Sequence, residues 1–361
     1  MKFGLISLGS KSSEMLAQAA RFYFDEVQTL DLKKIEVQLG KEGGIFYQGK
    51  PLDDFDCVYV KGSFRYAQLL QSIAAMLEGR VPYMPLPATS FNTIHNKLLT
   101  HLVLQQHNIP MPTTYIPSTT EAARALLKQV SYPIVMKFPE GTQGKGVMFA
   151  DSFSSASSLL DALGALNQPF IIQEYIETGG ADIRVIVVGD KIVAAMRRQA
   201  QKEEKRANIH AGGVGLQINL SREVISCAIA AAQALQVDIC GIDILEGPRG
   251  PMVIEANISP GLQGISSVAT VDVASEIAKF LASRTAEKVG IHRSKRASEM
   301  IEAMSKEAEL REPGREIMTK LTFRGERILL PEFVTVLSGF SDRKEYVVKA
   351  DKGRIEVFEK K

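Results

Sequence analysis

Asp243, Glu255 and Asn257, in the stretch "GIDILEGPRGPMVIEANISPG", are the residues whose types and spacing point most directly to chemistry. Glu255 and Asn257 are two apart, so on a strand they point to one face, and the Gly-Pro-rich turn around Gly247 folds that strand back onto the one carrying Asp243. Carboxylates in so apolar a run are costly to bury unless they are paired or bound to a metal. An Asp/Glu/Asn oxygen set suits magnesium held jointly by protein and phosphate oxygens. A salt-bridged or edge-exposed polar set is the competing reading.

A second cluster is "EGTQGKGV", residues 140–147, which places Gly141, Gly144 and Gly146 directly after the buried-strand pattern "YPIVMKF". Glycines cost order on folding, and their use here implies either a tight hairpin bend or a backbone that must approach a ligand closely. Lys137, at the end of the entering strand, would bring positive charge to whatever the loop amides cover. The loop lacks the lysine-then-Ser/Thr ending of a P-loop and does not open a long helix as G-x-G-x-x-G does, so neither standard nucleotide motif applies.

Basic side chains form the third set: Lys97, Lys137, Arg184, Arg198 and Arg206. Any one of them taken alone reads as a solvated surface charge. Asp182 and Arg184 share a strand face. Asn208 and His210 lie beside a Gly-Gly pair in "NIHAGG", where a lone histidine is more often structural than a base. No Ser-His-Asp order, metal-binding histidine pair or CxxC is present, which argues against hydrolase and zinc chemistry.

These residues need a scaffold. The 361 residues are 45% hydrophobic, enough for two or three domains with real cores. Lys and Arg number 43 against 41 Asp and Glu, a net charge of +2, which gives no electrostatic reason to expect nucleic acid or membrane as a partner. Cys57, Cys227 and Cys240 lack disulfide or metal-ligand spacing and read as reduced core residues of a cytoplasmic protein. "MKFGLISLGS" is too short to span a bilayer, has no cleavage pattern and reads as a first strand.

Strand and helix then alternate through "SEMLAQAARFYF", "VQTLDL", "FDCVYVKG" and "FRYAQLLQSIAAMLEGR", predicting a small open α/β domain with a parallel sheet that ends near Pro87. A helix containing Lys97 follows, stopped by the prolines after Ile109. "TEAARALLKQV" reads as a helix, "VMFA" as a returning strand and "PFIIQEYI" as another. "IRVIVVGDKIVAAMRRQA" gives two strands around Gly189-Asp190, a hairpin-closing dipeptide. Two further helices, "REVISCAIAAAQALQV" and "TVDVASEIAKFLASRT", flank the Asp243 hairpin. From about Ala286 the chain becomes highly charged, then returns to short strands after "KLTF".

On these motifs the chain resembles the RimK family of ATP-grasp glutamate ligases, related to LysX-type ligases, from Met1 to about Arg284. The carriers are "EGTQGKGV", "DIRVIVVGDKIVAAMRRQA", "RANIHAGG" and "GIDILEGPRGPMVIEANISPGLQGI", in the family's order and spacing. The resemblance implies an α/β and α+β chain: a pre-ATP-grasp domain over 1–90, a small lobe with the glycine flap over 91–175, a large lobe with the metal site over 176–286, and a mainly-β extension over 287–361. It implies nucleotide contacts at Lys97, Lys137, Gly141, Gly144, Gly146, Glu174, Tyr175, Asp182, Arg206 and Asn208, with Glu174 and the Tyr175 backbone at the adenine edge. It also implies magnesium ligands at Asp243, Glu255 and Asn257, with manganese as a substitute. Arg184, Arg198 and Lys137 would act on the transferring group, since a guanidinium fork matches both carboxylate and phosphate.

The implied activity is ATP- and magnesium-dependent ligation of a carboxylate to an amine through an acyl phosphate. Glutamate or a similar amino acid would be added to a protein, carrier-protein or coenzyme acceptor by a dimer or tetramer. The rival reading is a non-catalytic ATP-binding module acting on a partner through the tail. Two departures bear on acceptor choice: Gln199 stands out of register with the family's arginine pair, and "VKGSFRYAQLLQ" replaces a "PRIG"-like stretch. The tail faintly resembles the AbrB-like order of strand, Leu-Pro, short helix and two strands, with a small β cap as the alternative.

Overall fold

The computed structural model describes residues 1–41, 43–141, 146–200, 214–290, 322–330, 332–342 and 344–360. They form two compact units, Met1–Val289 and Gly290–Lys361.

The first unit opens with β1 (Lys2–Ser7), buried from Phe3 onward, the continuous apolar pattern of a strand covered on both faces. Ser10 caps α1 (Lys11–Ala20), its hydroxyl accepting from the Ser13 amide. β2 (Glu26–Asp31) follows, then β3 (Ile35–Gln38), β4 (Gly44–Tyr47) and β5 (Lys50–Pro51), then β6 (Cys57–Val60). β1 pairs in parallel with both β2 and β6, giving the expected open sheet in the order β2-β1-β6. The small antiparallel sheet β3-β4-β5 was not foreseen from the sequence, because its strands are short and mostly half-exposed.

After α2 (Ala67–Leu77) the expected single helix around Lys97 is two, α3 (Ala88–His95) and α4 (Lys97–Gln106). Asn96 breaks the run at φ −110° and ψ 111°, and its side chain accepts from the Leu98 and Leu99 amides at 2.9 and 3.3 Å. Lys97 is therefore the first residue of a capped helix rather than a mid-helix surface charge.

Next come β7 (Thr114–Tyr115), α5 (Thr120–Leu127), β8 (Ile134–Lys137), β9 (Val147–Ala150), α6 (Phe153–Ala165) and β10 (Ile171–Glu174). Their antiparallel sheet runs β7-β10-β8-β9 and keeps its own core of Ala123, Leu127, Ile134, Met136, Leu160 and Ile172. Gly146, between β8 and β9, has φ +76°, and a Cβ there would lie 2.2 Å from the Phe138 ring, so only glycine suits the turn. Residues 142–145 of the loop, including Gly144, lie outside the described residues.

β11 (Ala181–Val188), β12 (Lys191–Gln199), β13 (Val214–Gln217), α7 (Arg222–Ala234), β14 (Ile239–Gly247) and β15 (Gly250–Asn257) complete the body, with α8 (Gln263–Ser266) and a helix α9 over 273–290. The five-stranded sheet runs β13-β12-β11-β14-β15. Its core residues, among them Val185, Ile242 and Val253, belong to one cluster with Phe3, Leu5 and Tyr59 of the first sheet. Cys57, Cys227 and Cys240 are free and buried, as expected of core residues.

The second unit contains β16 (Thr322–Arg324) paired with β17 (Arg327–Leu329), then α10 (Glu332–Leu337), then β18 (Tyr346–Asp351) paired with β19 (Arg354–Glu359). It is the small strand-bearing extension that the composition change announced. Among the described residues no helix is long and apolar enough to cross a membrane.

Candidate active site

The hairpin of β14 and β15 sets Asp243 directly opposite Glu255 and Gly241 opposite Asn257, with a bulge just after Asp243. β11 lies on the other side of β14, so Arg184 faces Asp243, and β12 places Arg198 opposite Asp182. Register alone thus gathers residues that are up to 75 positions apart.

The side chains complete the arrangement. Arg184 donates a fork to Asp243, Nε to Oδ1 and Nη2 to Oδ2, both at 2.6 Å. Arg198 donates to Asp182 through Nε at 2.6 Å and Nη2 at 2.5 Å, and its Nη2 also lies 2.9 Å from Asp243 Oδ2. These are paired buried charges, which are tolerable only because each fork is filled. Burial works to raise the Asp243 pKa, but Arg184 and Arg198 outweigh it and hold the carboxyl at about 2. Arg198 is buried too, yet Asp243 and Asp182 push its pKa up.

Glu255 differs from its neighbour. Among the described residues it has no hydrogen-bond or ion-pair partner. Burial raises its pKa, with Lys97 pulling the other way. The Asn257 side-chain nitrogen is likewise buried without a partner. Two carboxylates and an amide oxygen on adjacent strands are a hard donor set that fits a magnesium ion whose remaining ligands come from phosphate and water. Among the described residues no group of three His, Cys, Asp or Glu forms a metal cage.

Two lysines approach from other elements. Lys97 Nζ donates to the Gly141 carbonyl at 2.9 Å and its amide to Pro139 at 2.8 Å, fastening α4 to the start of the glycine loop. Lys137, at the end of β8 and 9% exposed, donates to Gln173 Oε1 at 2.6 Å. Gln173 in turn contacts His101 Nε2 at 3.1 Å and Thr114 Oγ1 at 2.9 Å. Burial lowers the Lys137 pKa to about 8 and the His101 pKa to about 4, so the histidine is a neutral link in this chain. Gln173 and His101 were missed in the sequence; a glutamine inside a strand and a histidine inside a helix carry no spacing signal.

Glu174 accepts from the Thr113 amide at 2.7 Å and from Arg249 at 2.6 Å. A cavity of about 870 Å³ collects these groups. Its lining includes Lys97, Lys137, Gly141, Glu174, Tyr175, Asp182, Arg184, Arg198, Asp243, Glu255 and Asn257. Every nominated residue that is described lines it except Gly146, which sits at the foot of β9 beside Phe138. Gly144, Arg206, Asn208 and His210 lie outside the described residues. Lys61, Ser10 and Ser12 of the first domain also line the cavity and were not picked out from the sequence.

Residues 94–281 match the model of the RimK-like ATP-grasp domain, slightly more than half of the chain. The "Probable alpha-L-glutamate ligase" of Xanthomonas euvesicatoria pv. vesicatoria (strain 85-10) is 35% identical over 286 residues, 78% of this chain and 97% of the relative. The chain belongs to the RimK-like ATP-grasp family. With that membership it is an ATP-dependent, ADP-forming acid-amino-acid ligase. A protein of the same description from Pseudoalteromonas translucida (strain TAC 125) is also 35% identical, with 95% of its length covered.

Solved structures agree on the fold of this RimK-like chain. The ATP-grasp ligase PsnB complexed with minimal precursor, Mg and ADP superposes with a TM-score of 0.62 at 19% identity, over 79% of this chain and 98% of that one. The RimK domain protein from Sphaerobacter thermophilus DSM 20745 gives 0.60 at 18% identity, over 78% and 99%.

Proposed function

We propose that this RimK-like ligase activates a carboxylate with ATP and joins it to an amine, attaching glutamate or a similar amino acid to a protein, carrier-protein or coenzyme acceptor. The observation that carries the reading is the single cavity in which Lys97, Lys137, Arg184 and Arg198 meet Asp243, Glu255 and Asn257. Phosphoryl transfer needs positioning and charge neutralisation above all, and this set supplies both.

Lys97 and Lys137 would hold the β- and γ-phosphates, with the glycine loop above them and Glu174 and Tyr175 at the adenine edge. Asp243, Glu255 and Asn257 would hold magnesium, which when bound neutralises phosphate charge. Arg184 and Arg198, through the guanidinium nitrogen that neither aspartate engages, would keep the acceptor carboxylate in line with the γ-phosphorus. A carboxylate oxygen forms the new O–P bond as the bridging bond to ADP breaks. The amine then attacks the acyl carbon, the C–O bond to phosphate breaks, and the amine's proton leaves with the phosphate. The glutamate specificity is supported by the names of the curated relatives, and the use of magnesium by the donor chemistry of the β14–β15 hairpin.

The test is ADP release from the full chain with magnesium and ATP, against a panel of amino acids and of acceptors ending in free carboxylates. Release that depends on both an amino acid and an acceptor is expected. Nucleotide binding without such release under any pairing would overturn the reading.

A further inference from the structure

Lys61 follows β6 in the first domain and is only 4% exposed, yet it lines the same cavity as the phosphate-facing residues. Among the described residues its ammonium has no hydrogen-bond or ion-pair partner; it rests over the Tyr59 ring, 5.4 Å from the centroid. Burial pulls its pKa down to about 8. A charge kept out of water without a carboxylate is costly, and a fold that maintains one has a use for it.

The surroundings are built for an anion. β1 and β6 are parallel neighbours, and the order β2-β1-β6 reverses at β1, so the crevice beyond their carboxyl ends is a topological switch point, where open α/β sheets bind ligands. The amino terminus of the ten-residue helix α1 opens there, and Ser10, Ser12 and Ser13 of its first turn line the cavity. The crevice is fixed from the far side of the cavity. The Gly62 amide donates to Ser259 Oγ at 3.0 Å, the Leu262 amide to Ser12 Oγ at 2.8 Å, and the Tyr59 hydroxyl to the Ile258 carbonyl at 3.1 Å. Residues 258–262 follow directly on the β15 segment that carries Glu255 and Asn257, so the subsite and the candidate metal site are braced by one piece of chain.

We infer that Lys61, with the first turn of α1, forms a carboxylate-binding subsite for a substrate other than the nucleotide, holding a carboxylate that is not the one activated. The inference rests on the ligase reading and deepens it: at least one partner in the reaction must carry a second acidic group. Two sources share that chemistry, the amino acid and the carboxyl end of the acceptor.

The experiment compares the full chain with Lys61→Met and Lys61→Arg. ADP release is measured with L-glutamate and with the dipeptide Glu-Glu as probes, and the Tm rise each probe causes is measured without ATP. Lys61→Met should raise the KM for one probe about tenfold, leave the KM for ATP unchanged and abolish that probe's Tm rise. Lys61→Arg should restore most of it. A change confined to L-glutamate assigns the subsite to the amino acid, and one confined to Glu-Glu assigns it to the acceptor. Unchanged KM values and Tm rises for both probes overturn the inference. If the wild type releases no ADP with either probe, the glutamate-ligase reading is decided by the wider panel of amino acids and acceptors. The Tm rise and its loss in Lys61→Met then still decide the subsite, and no rise in the wild type overturns it. Should Lys61→Met not fold, Lys61→Gln takes its place.

Discussion

On the sheet wall of the cavity Arg184 and Arg198 are clamped by Asp243 and Asp182, whereas among the described residues Lys61, Lys97 and Lys137, contributed by other elements, meet a ring, a backbone carbonyl and an amide side chain. The cations of one cavity thus serve two purposes. The guanidinium forks neutralise buried carboxylates and lock β11, β12 and β14 in register. The lysines form no ion pair among the described residues and keep their ammonium groups available to an arriving anion. Arginine suits the first task because its planar fork matches a carboxylate, and lysine the second because a compact ammonium adapts to phosphate.

Substitutions can break this contrast. The largest effect is expected at Arg198, where Arg198→Met strands the buried Asp182 and takes from Asp243 one of its two arginine partners. Stability should fall by about 3–5 kcal/mol, read as a lower urea midpoint at unchanged slope. A fall within error of zero would mean that the sheet does not depend on its forks. Glu255→Ala should do the reverse. Having no partner to orphan among the described residues, it should leave Tm near wild type while ADP formation drops about a hundredfold. Normal magnesium-dependent activity in that variant would remove Glu255 from the metal site.

A smaller effect separates the lysines from the arginines by pH. Lys137 has its pKa lowered by burial to about 8, so it is charged below that value and neutral above it. The kcat/KM for ATP, which reports the free enzyme, should fall as pH rises through about 8, and Lys137→Arg should carry the falling limb to higher pH. A limb that stays in place would show that another group sets it. Smallest of all is Arg249→Ala: its pair with Glu174 is 60% exposed on the arginine side, and the KM for ATP should change less than about fivefold.

The β14–β15 hairpin was legible in the sequence because period-two spacing and a Gly-Pro turn determine which residues can meet, and the parallel β1/β6 sheet because its strands are continuously apolar. The β11–β12 hairpin was legible too, from Gly189-Asp190, but the pairing of β11 with β14 was not, since Arg184 and Asp243 become neighbours only through a strand order that no local pattern encodes. Glu174 and Tyr175 were reached through family resemblance alone; the residues themselves read only as strand. Lys61 was passed over for a related reason. A lysine after a strand, beside Gly-Ser, looks like a solvated loop charge, and the chain bonded to its neighbour Gly62 lies almost 200 residues further on, at Ser259.

The bonds that tie Ser12, Tyr59 and Gly62 to the 258–262 turn also limit how the protein can be taken apart. A truncation that starts after the first ninety residues would bare one flank of the shared core and strip three polar groups of their partners. A chimera meant to exchange the first domain for a relative's would have to transplant that distant turn as well, because the two are halves of one joint.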